Sequence, residues 1–511
     1  MEQEQKQKKN RKGIYIVAAI AAAIVIGIVG CVIYQKLSMD PLSYYRMVEE
    51  KYRDEKVEGI HLYADMLEQS LGTSGSSQEM DMKITLSDTA KMMLGLTGVN
   101  LDELESLSIQ GTTSVDKEKQ TIQLQLATNE QSVLSVNEYI DLKDNAVYMQ
   151  IPELSEAYLK MDSQDMEVNS LYNYQEFSSK CVKCTNNVAK LYERYTDILL
   201  DDIKSVDKTE TTIEASGVSM DVDCYAVEQK GKAAYQTIEK ILDRLKKDED
   251  FLEITEIAGE TEQENILKEI DNLKKEIQET EDETLSVKCQ TYISDKTIYG
   301  RKLIVVTEED KLEFEYLVPQ DGNDFGMILS AKDKEKEYVA VEGEGTIAKE
   351  TLNGEFRIST SEEVAKEMSE DIADNKNLLT IKVKDYDLTA FEKGKYSGIV
   401  TLSTGAIANL TNYAMRMEMM GDVKEANHKI SILGGADELV VMEVQTKQIN
   451  AAEMIKPKEP IYQITDEQAM LKYQTEVGMN LPNLLSDLKE KSGVDLSQYF
   501  LGMMQGQGLY D

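Results

Sequence analysis

Tryptophan is absent from the 511-residue chain, and histidine occurs only twice. Without indole rings, the usual stacking platform for sugars is missing. His61 and His428 have no ligand-spaced partners, so each reads as a structural or exposed residue and not as a metal ligand. Basic residues are also scarce, at 56 against 94 acidic ones, and the formal net charge is -38. Five of the basic residues (Lys6, Lys8, Lys9, Arg11, Lys12) fall before residue 14, beside only Glu2 and Glu4. Beyond that segment the chain is therefore still more acidic than its average, and such a surface repels nucleic acid and anionic headgroups. No HExxH, GxSxG or Walker loop occurs, and acidic residues are too abundant for any pair of them to mark a glycosidase. Catalytic, cofactor and metal residues are accordingly none, and the expectation is a protein without enzyme activity.

What is present starts with a long uncharged run. Residues 14–34, IYIVAAIAAAIVIGIVGCVIY, hold no charge, and at the helical rise 21 residues span roughly 30 Å, the thickness of a bilayer core. The basic segment 1–13 predicts a cytoplasmic N-terminus, so the sequence predicts a single-pass cell-membrane protein with an extracellular ectodomain. Ile28-Val29-Gly30-Cys31 also fits a permissive lipobox, making Cys31 a candidate lipidation site. The apolar run continues past Cys31 and exceeds a signal h-region, which favours an uncut anchor.

In the ectodomain, Asp40-Pro41 reads as a helix start running to about Gln69. KQTIQLQLAT (119–128), SVLSVNEYIDL and AVYMQIP alternate with period two, as an antiparallel meander with one apolar face does. Residues 174–204 form a helix with one apolar stripe: Phe177, Cys181, Cys184, Val188, Leu191, Tyr195 and Ile198. A charged helix over 260–283 is expected on the surface, covering a sheet edge. From 284 to 449 the strand pattern returns, with hairpin turns at DGND (321–324) and LGGAD (433–437). KPKEP (456–460) is a linker. Thr465-x-x-Gln468 reads as a capping box before a helical tail that Pro482 interrupts. The domain expectation is thus 40–250 and 251–455 as two ectodomain halves, then 456–511 as linker and tail. The fold class is α+β, with curved antiparallel sheets whose helices pack on their concave faces.

NAVYMQIPELSEAYLKMD and TYISDKTIYGRKLIVV resemble strand–turn–strand units of the LolA/LppX-type half-barrels of bacterial envelope lipoproteins. The chain is also similar to single-helix-anchored ectodomain proteins of clostridia and related Gram-positive bacteria. The resemblance is one of pattern, carries over no functional residue, and implies a half-barrel with a hydrophobic cavity between sheet and helices for a lipid or other apolar ligand. The helix stripe offers Phe177, Val188, Leu191, Tyr195 and Ile198 as the candidate lining. Twenty-four methionines, among them MRMEMM at 415–420, suit such a pocket. The other class in play is an envelope scaffold that binds partner proteins. Cys181, Cys184, Cys224 and Cys289 fit either buried thiols or one or two disulfides. The first choice for a bridge joins a helix cysteine to Cys224.

Overall fold

A computed structural model describes residues 40–71, 77–96, 100–116, 118–141, 143–144, 146–162, 174–257, 259–279, 285–307, 311–333, 336–361, 377–390, 393–404, 412–450, 454 and 456–495. The expected membrane segment 14–34, with Cys31, lies outside them, and no helix among the described residues is long and apolar enough to cross a membrane. In chain order the elements are α1 (Pro41–Leu71), β1 (Ser77–Leu86), α2 (Asp88–Gly95), β2 (Leu107–Val115), β3 (Lys119–Thr128), β4 (Gln131–Asp141), β5 (Ala146–Gln150), β6 (Tyr158–Asp162) and α3 (Tyr174–Asp202). Next come β7 (Asp207–Ala215), β8 (Val218–Lys230), α4 (Lys232–Leu245), α5 (Glu249–Glu256), α6 (Glu260–Glu279), β9 (Ser286–Ser294), β10 (Thr297–Val306), β11 (Lys311–Leu317) and β12 (Gln320–Asp321). They are followed by β13 (Asp324–Asp333), β14 (Lys336–Ala348), β15 (Thr351–Ser359), β16 (Asn377–Asp387) and β17 (Lys395–Ser403). The last are β18 (Tyr413–Asp422), β19 (Glu425–Gly434), β20 (Asp437–Ile449), β21 (Ile461–Gln463) and α7 (Glu467–Ser492). The fold is α+β with curved antiparallel sheet, as the alternation predicts.

The chain divides into two compact units that interleave in sequence. One takes the described residues of Met1–Asp65, Lys180–Glu392 and Ser403–Thr411; the other takes those of Met66–Ser179, Lys393–Leu402 and Asn412–Asp511. The expected boundary at 250/251 has no counterpart in the ladder, because β8 pairs directly with β9 across it.

In the first unit, β7, β8, β9, β10, β11, β13, β14, β15 and β16 form one antiparallel run. It curls until Gly326 of β13 meets Ala215 of β7, where a Cβ would lie 1.8 Å from the Ala215 carbonyl oxygen. Only glycine fits so close a backbone approach. The inner face of the curl is filled by Ile213, Val222, Cys224, Tyr292 and Leu317. Helix α1 and the end of α3 pack on the opposite, outer face, through Tyr45, Val48, Leu200 and Ile203 against Tyr225, Val227 and Ile293. The expectation of helices on the concave face is therefore corrected here. Side chains of the sheet itself occupy that space, and α1 reaches only the outside.

At the centre of this α1–sheet layer, Arg301 donates to Glu49 through both terminal nitrogens, at 2.8 and 2.6 Å. Both residues are buried. Thr291 Oγ1 donates to Glu49 at 3.4 Å, and the Tyr52 ring lies 5.1 Å from the guanidinium carbon. Burial holds the phenols of Tyr45 and Tyr52 above their ordinary value, so they remain neutral around the pair.

On the other face of the same strands, Glu313 pairs with Lys311, with Lys302 (3.3 Å) and with Lys332 (3.6 Å). The hydrogen bond from Lys311, reinforced by Lys302, draws its carboxyl down to about 2.

The second unit runs β18, β19, β20, β1, β2, β3, β4, β5 and β6, all antiparallel, and ends with β21 parallel to β6. Helix α7 lies along β3, β4 and β21, and α2 packs at the ends of β1 and β20. Asp466, not Thr465, caps α7 by accepting from Gln468 and Ala469 N–H. The helix also passes through Pro482 instead of stopping there. The residue four positions earlier is Gly478, which has no side chain to add to the proline's clash.

Two tests arise from these charges. Glu49→Ala leaves Arg301 buried without its partner and should destabilise the protein by about 3–5 kcal/mol in guanidinium unfolding, whereas Glu49→Leu combined with Arg301→Met should recover most of that loss. Because the Glu313 carboxyl lies below its ordinary 4.5 in the folded state, its contribution is complete above that pH and disappears as pH falls toward about 2. Glu313→Gln should therefore lower urea stability at pH 7, with the gap to wild type closing by pH 2–3.

Candidate functional site

The α3 stripe is consumed by other helices. Tyr195 and Ile198 are buried against Leu242 and Leu245 of α4 and Ile270 and Leu273 of α6, with Leu191 packed beside them. Val188 is exposed, and the side chain of Phe177 lies outside the described residues. Among the described residues of the stripe, Leu191, Tyr195 and Ile198 are thus committed to helix packing. The stripe finds matching stripes on α4 and α6, so α6 covers helices and not a sheet edge. Above them, a groove of about 900 Å³ is walled by Arg194, Lys240, Arg244, Asp243, Asp248 and Asp250 among others. Arg194 bridges Asp248 and Asp250, Lys190 adds a 3.0 Å contact to Asp250, and the Tyr195 hydroxyl donates to Asp248 at 3.2 Å. A groove so lined is unsuited to a hydrocarbon chain.

All four described cysteines are free thiols. Strand parity explains why the sheet pair stays apart: Cys224 stands opposite Tyr292 and Cys289 opposite Val227, an odd offset that puts them on opposite faces. Cys224 faces the inner cluster, whereas α3 packs on the outer face, so the structure brings no helix cysteine to Cys224. Burial pushes the Cys184 and Cys289 thiols above their ordinary value, making them poor nucleophiles near neutral pH. Among the described residues no group of three or more potential metal ligands converges.

The second unit holds the surface that a ligand-binding reading needs. Antiparallel register places cross-strand partners on one face. One row runs Met419, His428, Val444, Met82, Ile109, Leu126 and Leu134, and the next runs Met417, Ile430, Met442, Ile84 and Leu107. Met415, Ile432, Val440 and Leu86 form a third row on the same face. Gly111 confirms the direction, since a Cβ there would touch the Leu124 side chain at 3.0 Å and the end of Met80 at 3.7 Å. The opposite face carries Glu79, Asp81, Lys83, Gln110, Gln123, Gln125, Glu443 and Gln445. Six methionines (80, 82, 415, 417, 419 and 442) thus share a continuous apolar face on which most side chains are only half-buried, while Met415 and Ile432 are exposed.

That face ends at α2, which comes after Leu86 and the single residue Ser87. Met92 and Leu96 there are 67% and 87% exposed, with Met93 and Leu94 also open to solvent. His428 is the polar residue within the face. It is half-buried, its ring makes a T-shaped pair with Tyr396 at 5.4 Å between centroids, and its Nδ1 has no hydrogen-bond partner. Burial lowers the pKa of the imidazole, favouring its neutral form. Composition alone singles out the MRMEMM methionines and passes over β1. The alternation of Met80, Met82, Ile84 and Leu86 against Glu79, Asp81, Lys83 and Thr85 is the signal that marks it.

No family model matches the chain. No curated protein matches it either. Among solved structures, it has a faint similarity to a double mutant of the vaccine antigen transferrin binding protein B from Haemophilus parasuis Hp5, at 9% identity and a TM-score of 0.12, covering 74% of this chain and 76% of that one.

The thiols supply a direct test. Titration in guanidinium without reductant should find Cys181, Cys184, Cys224 and Cys289 all reactive, and native alkylation should reach the half-buried Cys181 before the buried Cys224. Two thiols missing from the titration would mean a disulfide.

Proposed function

We propose that this is a non-enzymatic, single-pass membrane-anchored extracytoplasmic protein that binds a lipid or other apolar ligand on the apolar face of its second unit. The observation that carries this reading is the half-buried, methionine-rich face spanning β18, β19, β20, β1 and β2. Sheet faces are normally covered when they are this apolar, and methionine adapts to irregular hydrocarbon. The run 14–34 supports the membrane address, with an uncut helix favoured over lipidation of Cys31 on the length of the run. A LolA/LppX-like half-barrel is consistent with such a face, the ligand lying on the sheet and not against the α3 stripe. The envelope-scaffold reading is favoured by a different feature, the exposed Met92, Met93, Leu94 and Leu96 of α2, since apolar patches of this kind mark protein contacts as well.

Mass spectrometry of the full chain, extracted into polymer-bounded membrane discs and washed free of bulk lipid, separates these readings. Wild type should retain apolar ligand and Met82→Asp should lose it. Equal occupancy in both would sink the site, and protein cross-links through α2 without ligand would favour the scaffold.

A further inference from the structure

We propose that the apolar face of the second unit selects an uncharged, chain-bearing lipid whose hydroxyl or ester group meets the imidazole of His428. This rests on the ligand-binding reading above and specifies its chemistry. Across β18, β19, β20, β1, β2 and β3, the paired positions on this face include no Lys or Arg, and the one carboxylate among them is Asp437, opposite Gly434 at the hairpin end of β20. The next strand brings Glu138, opposite Ile122 and Met149, and burial raises its carboxyl toward the neutral form. An ionised carboxylate or phosphate laid here would be desolvated with no cation to offset it.

A hydrocarbon chain meets no such penalty. It would lie along the rows of Met80, Met82, Met417, Met419 and Met442, whose flexible thioethers conform to it. His428 supplies the polar contact. Buried polar atoms are nearly always hydrogen-bonded, so the unpartnered Nδ1 is the kind of group that a ligand satisfies. Neutral imidazole offers one donor and one acceptor, which matches a hydroxyl or ester group. The imidazole also packs in a T-shaped arrangement with the Tyr396 ring.

The test uses the full-length chain in native membranes and two photoactivatable diazirine-alkyne probes of equal chain length, a monoacylglycerol and a fatty acid, with labelled peptides mapped by mass spectrometry. The monoacylglycerol should label peptides of β18, β19, β20 and β1 well above the fatty acid. His428→Phe should lower that labelling about threefold to tenfold, the worth of one hydrogen bond. His428→Gln, which keeps a donor and an acceptor, should restore much of it, and Asn427→Ala on the polar face should change nothing. Equal labelling by both probes, or labelling indifferent to His428, would overturn the selectivity while leaving a ligand site. Failure of both probes to label these strands would overturn the ligand reading itself.

Discussion

The first unit is organised by the buried contact between Glu49 and Arg301. Removing two charges from water costs several kcal/mol per ion, and the attraction between them offsets this only in one geometry. That geometry requires Arg301 on the outer face of β10, in the row that runs Lys208, Tyr225, Thr291, Arg301, Tyr316 and Leu329 across six adjacent strands of the sheet. A slip of one residue in β10 would turn Arg301 to the inner face and strand Glu49 beneath α1. Packing Tyr45 and Val48 against Tyr225 and Ile293 tolerates small shifts; the bidentate pair does not. The ion pair thus acts on register and on the rotation of α1 more than on total stability.

The same period of two explains much of what separates the units. In the first, outer positions hold the ion pair and the α1 contacts, while inner ones fill the curl, where Gly326 lets β13 meet β7. In the second, one parity collects nearly all the aliphatic and methionine side chains and the other nearly all the charge. A sheet segregated so cleanly needs an apolar counterpart. Helix α7 serves strands β3, β4 and β21, and α2 only the ends of β1 and β20. The methionines stand on β18, β20 and β1, to one side of the strands that α7 serves.

Short-range features were readable from the chain. Alternation predicts β3, β4 and β5, the Asp40-Pro41 start predicts α1, and the turn residues predict the β19–β20 hairpin. What escaped prediction is set by distant partners. β1 pairs with β20, more than 350 positions away, and no local pattern encodes that choice. The α3 stripe reads equally well as sheet-facing or helix-facing, and only the stripes of α4 and α6 decide it. Pro482 looks like a stop because local rules cannot weigh it against the contacts that hold α7 along the sheet. The apolar face was half visible: MRMEMM announces one strand of it, but its continuity needs the register.

Where that face ends bears on how a ligand would reach it. Met415 and Ile432 are exposed members of the apolar face, and both lie at the end where Leu86 leads into α2. Met92, Met93, Leu94 and Leu96 add exposed apolar surface beyond the strands. Residues 92–101 carry no charge in a chain that is 29% charged. For the proposed ligand, entry over Met92, Met93, Leu94 and Leu96 would exchange water for apolar side chains. Each methionine that a chain covers loses exposed surface, so entry and binding draw on the same hydrophobic gain.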